Sequence, residues 1–123
     1  MGIEETALWK RQLQNPDLRK FDPEYHGHLA LREKTKMDLR SDEALAVLRE
    51  AVYDLAKAAN KAPSLWGIRE GKIYRFMFDN RGVWHGYPVL EKPPNLVLQQ
   101  WRKKGKITNA EYTKILNLPN RGK

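Results

Sequence analysis

A chain of 123 residues, 41% hydrophobic and 31% charged, is long enough to bury a core and too apolar to stay unfolded. It contains no cysteine, which excludes a disulfide framework, a thiol nucleophile and a Cys-ligated metal. Its net charge of +8 is one-sided: residues 63–123 hold 12 Lys/Arg against 4 Asp/Glu, while residues 1–40 and 41–62 each lie within one charge of neutral. A one-sided basic field suits a polyanionic partner, with nucleic acid the commonest. The competing account of the same charge is a solubilising surface.

At the N-terminus, MGIEETALWKRQ places acidic residues where a signal peptide needs basic ones, and no apolar run comes after them. No stretch approaches the roughly 20 apolar residues of a membrane span. The expectation is a cytoplasmic protein with no membrane partner. Leu8, Trp9, Gln12 and Leu13 form a partial stripe that predicts a helix over residues 3–14, stopped by Asn15-Pro16. Residues 15–40 carry turn signals at Asn15-Pro16-Asp17, Asp22-Pro23 and Gly27, then the charged run Leu31–Arg40, and read as an irregular arm.

The clearest element spans residues 42–60. Ser41 is the expected N-cap, Asp42 and Glu43 sit at the positive end of the helix dipole, and Leu45, Leu48, Val52, Leu55 and Ala59 make one apolar stripe. Three strands come next, Leu65–Arg69, Lys72–Phe78 and Val83–Tyr87, joined by Glu70-Gly71 and Asp79–Gly82. Pro88 should end the third. Alternation puts Tyr74, Phe76 and Phe78 on one face, where the 42–60 helix would cover them. Asn95 should cap a helix to about Lys104, with Gly105 after it. Thr108 and Glu111 form a capping box for a last helix, Asn109–Leu116. This helix–GKIT–helix layout resembles the short helical hairpins that close many bacterial proteins, including SHOCT-type tails.

The expected architecture is α+β: helices, a three-stranded antiparallel meander, then a C-terminal helical hairpin. It reads as a single domain, with an N-terminal helix and arm (1–40), helix plus meander (41–94), helical hairpin (95–118) and a basic tail (119–123).

His26 and His28 flank Gly27, but spacing supplies no third ligand, so no metal and no cofactor is expected. His85 is the more informative histidine. It alternates with Val83 and Tyr87, and the neighbouring strand offers Arg75. A histidine can shuttle a proton near neutral pH, an arginine can hold charge on a phosphorane, and Tyr87 can stack a base. With the RNA 2′-OH as nucleophile, such a trio needs no metal. His85, Arg75 and Tyr87 are therefore the candidate catalytic residues. Arg69, Lys72, Arg81, Trp84, Arg102, Lys103 and Lys104 are the candidates for nucleic-acid contact. A lone half-buried histidine that packs under an aromatic ring is the competing account of His85.

Residues 65–87 also carry a resemblance. Leu65-Trp66 with Ile68-Arg69, then Tyr74-Arg75-Phe76, then His85-Gly86-Tyr87, resemble the strands of RelE/ParE-type toxins. Gly67 departs from the family's usual Glu, and Pro88 from its usual Lys-Lys. The resemblance covers about a fifth of the chain. It implies a small basic ribonuclease of the barnase-like, metal-independent kind, and a partner such as an antitoxin or immunity protein. Three readings are open at this point: a toxin-like ribonuclease, a non-catalytic nucleic-acid-binding module, and a protein-interaction module whose charge only solubilises it.

Overall fold

The structure is a computed structural model and describes residues 3–23, 36–79 and 81–118. Its elements are α1 (Ile3–Gln14), α2 (Ser41–Glu50), β1 (Leu65–Arg69), β2 (Lys72–Phe78), β3 (Trp84–Val89), α3 (Asn95–Lys103) and α4 (Asn109–Leu116), with single 3₁₀ turns at Pro16–Leu18 and Leu55–Lys57. The three strands form one antiparallel sheet in the order β1-β2-β3. Helices precede it and a helical pair comes after it, the α+β arrangement expected. The readings of His26, His28 and the first half of the 31–40 run fall on residues 24–35, outside the described residues, as does the tail 119–123.

Strand alternation sorts the core into two clusters, one on each face of the sheet. On one face Leu65, Tyr74, Phe76 and Trp84 pack with Trp9 and Leu13 of α1 and with Val47, Leu48 and Ala51 of the α2 region. On the other, Trp66 and Ile73 pack with Val52, with Val97, Leu98 and Trp101 of α3, and with Ile107 and Ile115. Gly67 explains how α2 lies so close. A Cβ there would stand 2.4 Å from Val47 Cγ1, so the glycine that breaks the toxin-strand pattern is the point where helix and sheet touch.

The helix expected over 42–60 stops at Glu50. Ala51 turns extended, and Val52 pairs with Trp66 on the free edge of β1, N–H to C=O in both directions at 2.9 and 2.8 Å. Leu55 is 72% exposed, so the stripe continued past Val52 buries nothing there. Tertiary pairing of a β-branched residue has overridden helix periodicity. The cap differs as well: the Glu43 carboxylate accepts from the Arg40 amide at 3.0 Å, one residue before Ser41.

At the far edge, Phe21 bridges β3 in parallel. Trp84 N–H donates to Lys20 C=O at 2.8 Å and Asp22 N–H donates to Trp84 C=O at 3.0 Å. β3 also runs one residue beyond Pro88, which stands opposite Tyr74. A proline is tolerated because β3 is an outer strand and can leave that missing donor unpaired. The hairpin end matches the sequence closely: Glu111 N–H donates to Thr108 Oγ1 at 3.1 Å, Thr108 N–H donates to Glu111 Oε1 at 2.8 Å, and Gly105 takes a φ of +74°. α3 begins with Asn95 as its first helical residue and Pro94 before it.

One residue ties α1 to α2. Arg19, 3% exposed, donates from Nε to Gln12 C=O at 2.8 Å and from Nη2 to Leu13 C=O at 3.3 Å. From Nη1 it donates to Leu48 C=O at 2.7 Å and Ala51 C=O at 2.9 Å. Burial lowers its pKa to about 10, and it remains protonated at neutral pH.

Two substitutions test this packing. Arg19→Ala takes a donor from four buried carbonyls, of which Leu48 C=O keeps the Ala51 N–H at 3.2 Å, and should cost about 3 kcal/mol or more. A urea midpoint within error of wild type would refute that role. Gly67→Ala should cost about 1–3 kcal/mol through overpacking, and adding Val47→Ala should restore part of the loss. Strictly additive effects in that double-mutant cycle would mean the clash is absorbed elsewhere.

Candidate nucleic-acid interface

The β2–β3 register places Arg75 opposite Tyr87 and Met77 opposite His85. Arg75, Met77, His85 and Tyr87 therefore share one face, beyond the part covered by α3 and α4. The proposed catalytic trio is thus brought onto one face, but its members are already engaged. Arg75 Nη1 donates to Glu91 Oε2 at 3.0 Å and Nε to Ser64 Oγ at 2.9 Å, with the guanidinium 5.1 Å from the Trp66 ring centre. His85 is 5% exposed. Its Nε2 lies 2.8 Å from Asp79 Oδ2 and its Nδ1 3.1 Å from the Asp22 carbonyl oxygen. Tyr87 is half-buried, its hydroxyl 3.7 Å from Met77 Sδ. Burial raises its pKa, Arg75 works against that shift and Glu91 with it.

Trp84 faces the other way. It is fully buried in the first cluster, and its indole Nε1 donates to Gln12 Oε1 at 2.7 Å. The stacking role expected of it has no exposed ring to work through. The cause is the register, which puts Trp84 opposite Phe78 on the helix-covered face, 5.1 Å between ring centres.

The sheet-side cations are paired too. Arg69 Nη2 reaches Glu43 at 3.3 Å, and Lys72 pairs with Asp38, whose other oxygen accepts from Tyr74 OH at 2.9 Å. Arg81 Nη2 lies 3.3 Å from both Asp79 and Asp22 carboxylates. Burial works to raise the Asp79 pKa. The Arg81 amide, His85 and the Arg81 guanidinium together outweigh it and hold that carboxyl well below the usual range.

The hairpin differs. Arg102, Lys103 and Lys104 end α3 as three consecutive exposed cations, and none is in an ion pair among the described residues. Arg102 lies over the Tyr112 ring at 4.5 Å, which fixes the guanidinium, and lines a shallow depression with Gln99 and Lys103. Lys114 of α4 is likewise exposed and outside any ion pair among the described residues, and Lys106 pairs with Glu50. The negative end of the α3 dipole offsets part of this charge but leaves the side chains open to a ligand.

Sequence reasoning missed Arg19, Gln12, Asp38 and Glu91. The carboxylates carried no local signal, because each meets its cation across a long stretch of chain. Gln12 did carry one: a glutamine in a predicted apolar stripe needs buried partners, and it finds them in Trp84 and in the Gly82 carbonyl at 3.3 Å. Comparison with protein-family models, curated proteins and solved structures gives no match to this chain.

A carboxyl held down in the folded state contributes stability above its unfolded range and loses that contribution as pH falls toward its folded value. Stability should therefore decline on acidification below about pH 4. Asp79→Asn should make the decline shallower. Urea midpoints taken at stepped pH check this; parallel curves for the two proteins would refute it.

Proposed function

We propose that this protein binds nucleic acid, with RNA the favoured class, through the basic end of the α3–α4 hairpin. One observation carries the reading: the cations beside the sheet are neutralised by carboxylates, whereas Arg102, Lys103, Lys104 and Lys114 are exposed and outside any ion pair among the described residues. Cations free of internal partners can release counterions from a phosphate backbone, and that release is the main source of sequence-independent affinity. The one-sided charge of residues 63–123 supports the same conclusion. A cytoplasmic location, where RNA is abundant and thiols are dispensable, belongs to this reading.

Metal-independent RNA cleavage is the second reading, favoured by the sharing of one face by Arg75, His85 and Tyr87 and by the resemblance to RelE/ParE-type toxins. An antitoxin or immunity protein as partner belongs to it. It requires His85 and Arg75 to exchange their present partners for substrate.

Fluorescence anisotropy with a labelled single-stranded RNA, titrated against salt, tests the first reading. The combined change Arg102→Gln, Lys103→Gln, Lys104→Gln should weaken binding uniformly across sequences and reduce the salt slope by about 2. A wild-type protein with no salt slope meets no phosphates, and the charge is then only solubilising. Gel analysis of the same RNA tests the second: cutting that is lost in His85→Ala supports it, and intact RNA with wild type removes it.

A further inference from the structure

Two arginines of this chain sit over aromatic rings, and their surroundings differ. Arg75 lies 5.1 Å from the Trp66 ring centre, and its donors go to Glu91 and Ser64. Arg102 lies 4.5 Å from the Tyr112 ring centre and is exposed, and its guanidinium makes no hydrogen bond or ion pair among the described residues. Tyr112 is itself packed against the second core cluster, to which Trp101, 1% exposed, also belongs. The guanidinium is therefore the outer layer of a stack that begins in the core. The turn between the helices holds both residues in place. Gly105 takes its positive φ after the end of α3, and the Thr108–Glu111 capping box sets the start of α4 just before Tyr112.

A guanidinium seated on a ring has one side against the ring, and at an exposed residue the other side meets solvent. That open side is a planar, delocalised surface on which a nucleobase can lie, and the edges keep N–H donors for phosphate oxygens. Seating the group in advance also lowers the ordering cost of binding. Lys103 and Gln99 line the same shallow depression.

We propose that Arg102, held on Tyr112, is a stacking platform for an unpaired base, so that the hairpin end selects single-stranded RNA over duplex. This rests on the phosphate-binding reading of the same cations and adds what they select. Charge alone points the other way: a duplex carries the denser array of phosphates, and a purely electrostatic patch binds it at least as well as a single strand. Inside a duplex the base faces are covered by their neighbours, and the platform meets none of them. Preference for the single strand therefore needs contact with the face of a base. Lys103, Lys104 and Lys114 are point charges and supply none. Arg102 is the cation of this end that has a plane to offer.

The experiment is fluorescence anisotropy of the full chain with labelled RNAs, each titrated against salt: a single strand, the same strand annealed to its complement, and a strand of equal length whose central bases are replaced by abasic sites. Wild type is compared with Arg102→Lys, which keeps the charge and loses the plane at an exposed position. Wild type should bind the single strand about fivefold or more tighter than the abasic strand, and tighter than the duplex. Arg102→Lys should lose that preference, while its salt slope on the abasic strand stays that of wild type. A wild type that binds with a salt slope but treats base-bearing and abasic strands alike, or prefers the duplex, overturns the platform and leaves phosphate binding standing. A preference for bases that survives Arg102→Lys overturns the assignment to Arg102. Absence of salt-dependent binding to any of these RNAs overturns both readings.

Discussion

A guanidinium buried between two helix ends sets the framework. Arg19 has no carboxylate beside it among its hydrogen-bond partners; its acceptors are four main-chain carbonyls, two from the last turn of α1 and two from the end of α2. Bringing a charge into the interior is expensive without compensation. Here the carbonyls lie at helix C-termini, where the dipole is negative, and of the four Leu48 C=O also accepts from the Ala51 N–H. One side chain therefore satisfies two helix ends and draws them to one point. It also marks where α2 must stop, since the carbonyls of Leu48 and Ala51 are given to Arg19 and the next residue, Val52, leaves for the sheet. A planar fork with several donors suits this task; a lysine would have to meet the same four acceptors from one nitrogen.

The charge distribution obeys a similar logic of commitment. Around the sheet nearly every cation named as a candidate contact has a carboxylate from elsewhere in the chain: Arg69 with Glu43, Lys72 with Asp38, Arg75 with Glu91, Arg81 with Asp22 and Asp79. The more buried of these pairs bind segments together, and the exposed ones contribute little to stability. Their collective effect is to remove positive potential from that side of the molecule. The α3–α4 hairpin, residues 95–118, holds five Lys/Arg against one Asp/Glu, and its Arg102, Lys103, Lys104 and Lys114 stay outside any ion pair among the described residues.

The strands were legible because alternation is a local property. Leu65–Arg69 and Lys72–Phe78 could be read residue by residue, and the capping box at Thr108 and Glu111 likewise depends on residues three apart. The grouping of His85 with Arg75 could be anticipated once a hairpin was assumed, although only the register decides it. Trp84 shows the limit. A tryptophan near a histidine on a basic strand looks like a binding residue until Phe78 is found opposite it and Gln12 is found at its indole. The end of α2 was hidden for a different reason: Ala51 and Val52 continue a good helical stripe, and only a partner strand and a distant arginine make the extended conformation preferable. Pro88 misled in the opposite direction, because the cost of a missing N–H depends on whether the strand is inner or outer.

The two single-residue bridges at Val52 and Phe21 bear on how the protein behaves at high concentration. A three-stranded sheet has two borders, and each is a template on which another chain could add a strand. Val52 occupies the border of β1 at Trp66, and Phe21 that of β3 at Trp84. Among the described residues, the stretch Gly67–Arg69 of β1 has no strand on its outer side, and on β3 Pro88 interrupts the border beyond Gly86 with a residue that offers no donor. A copy of the chain seeking to extend the sheet would first have to displace a segment anchored by Arg19 on one side or by His85 on the other. The two side chains that hold the helix ends and the 20–22 segment thus also hold in place the residues that cover the two sheet borders.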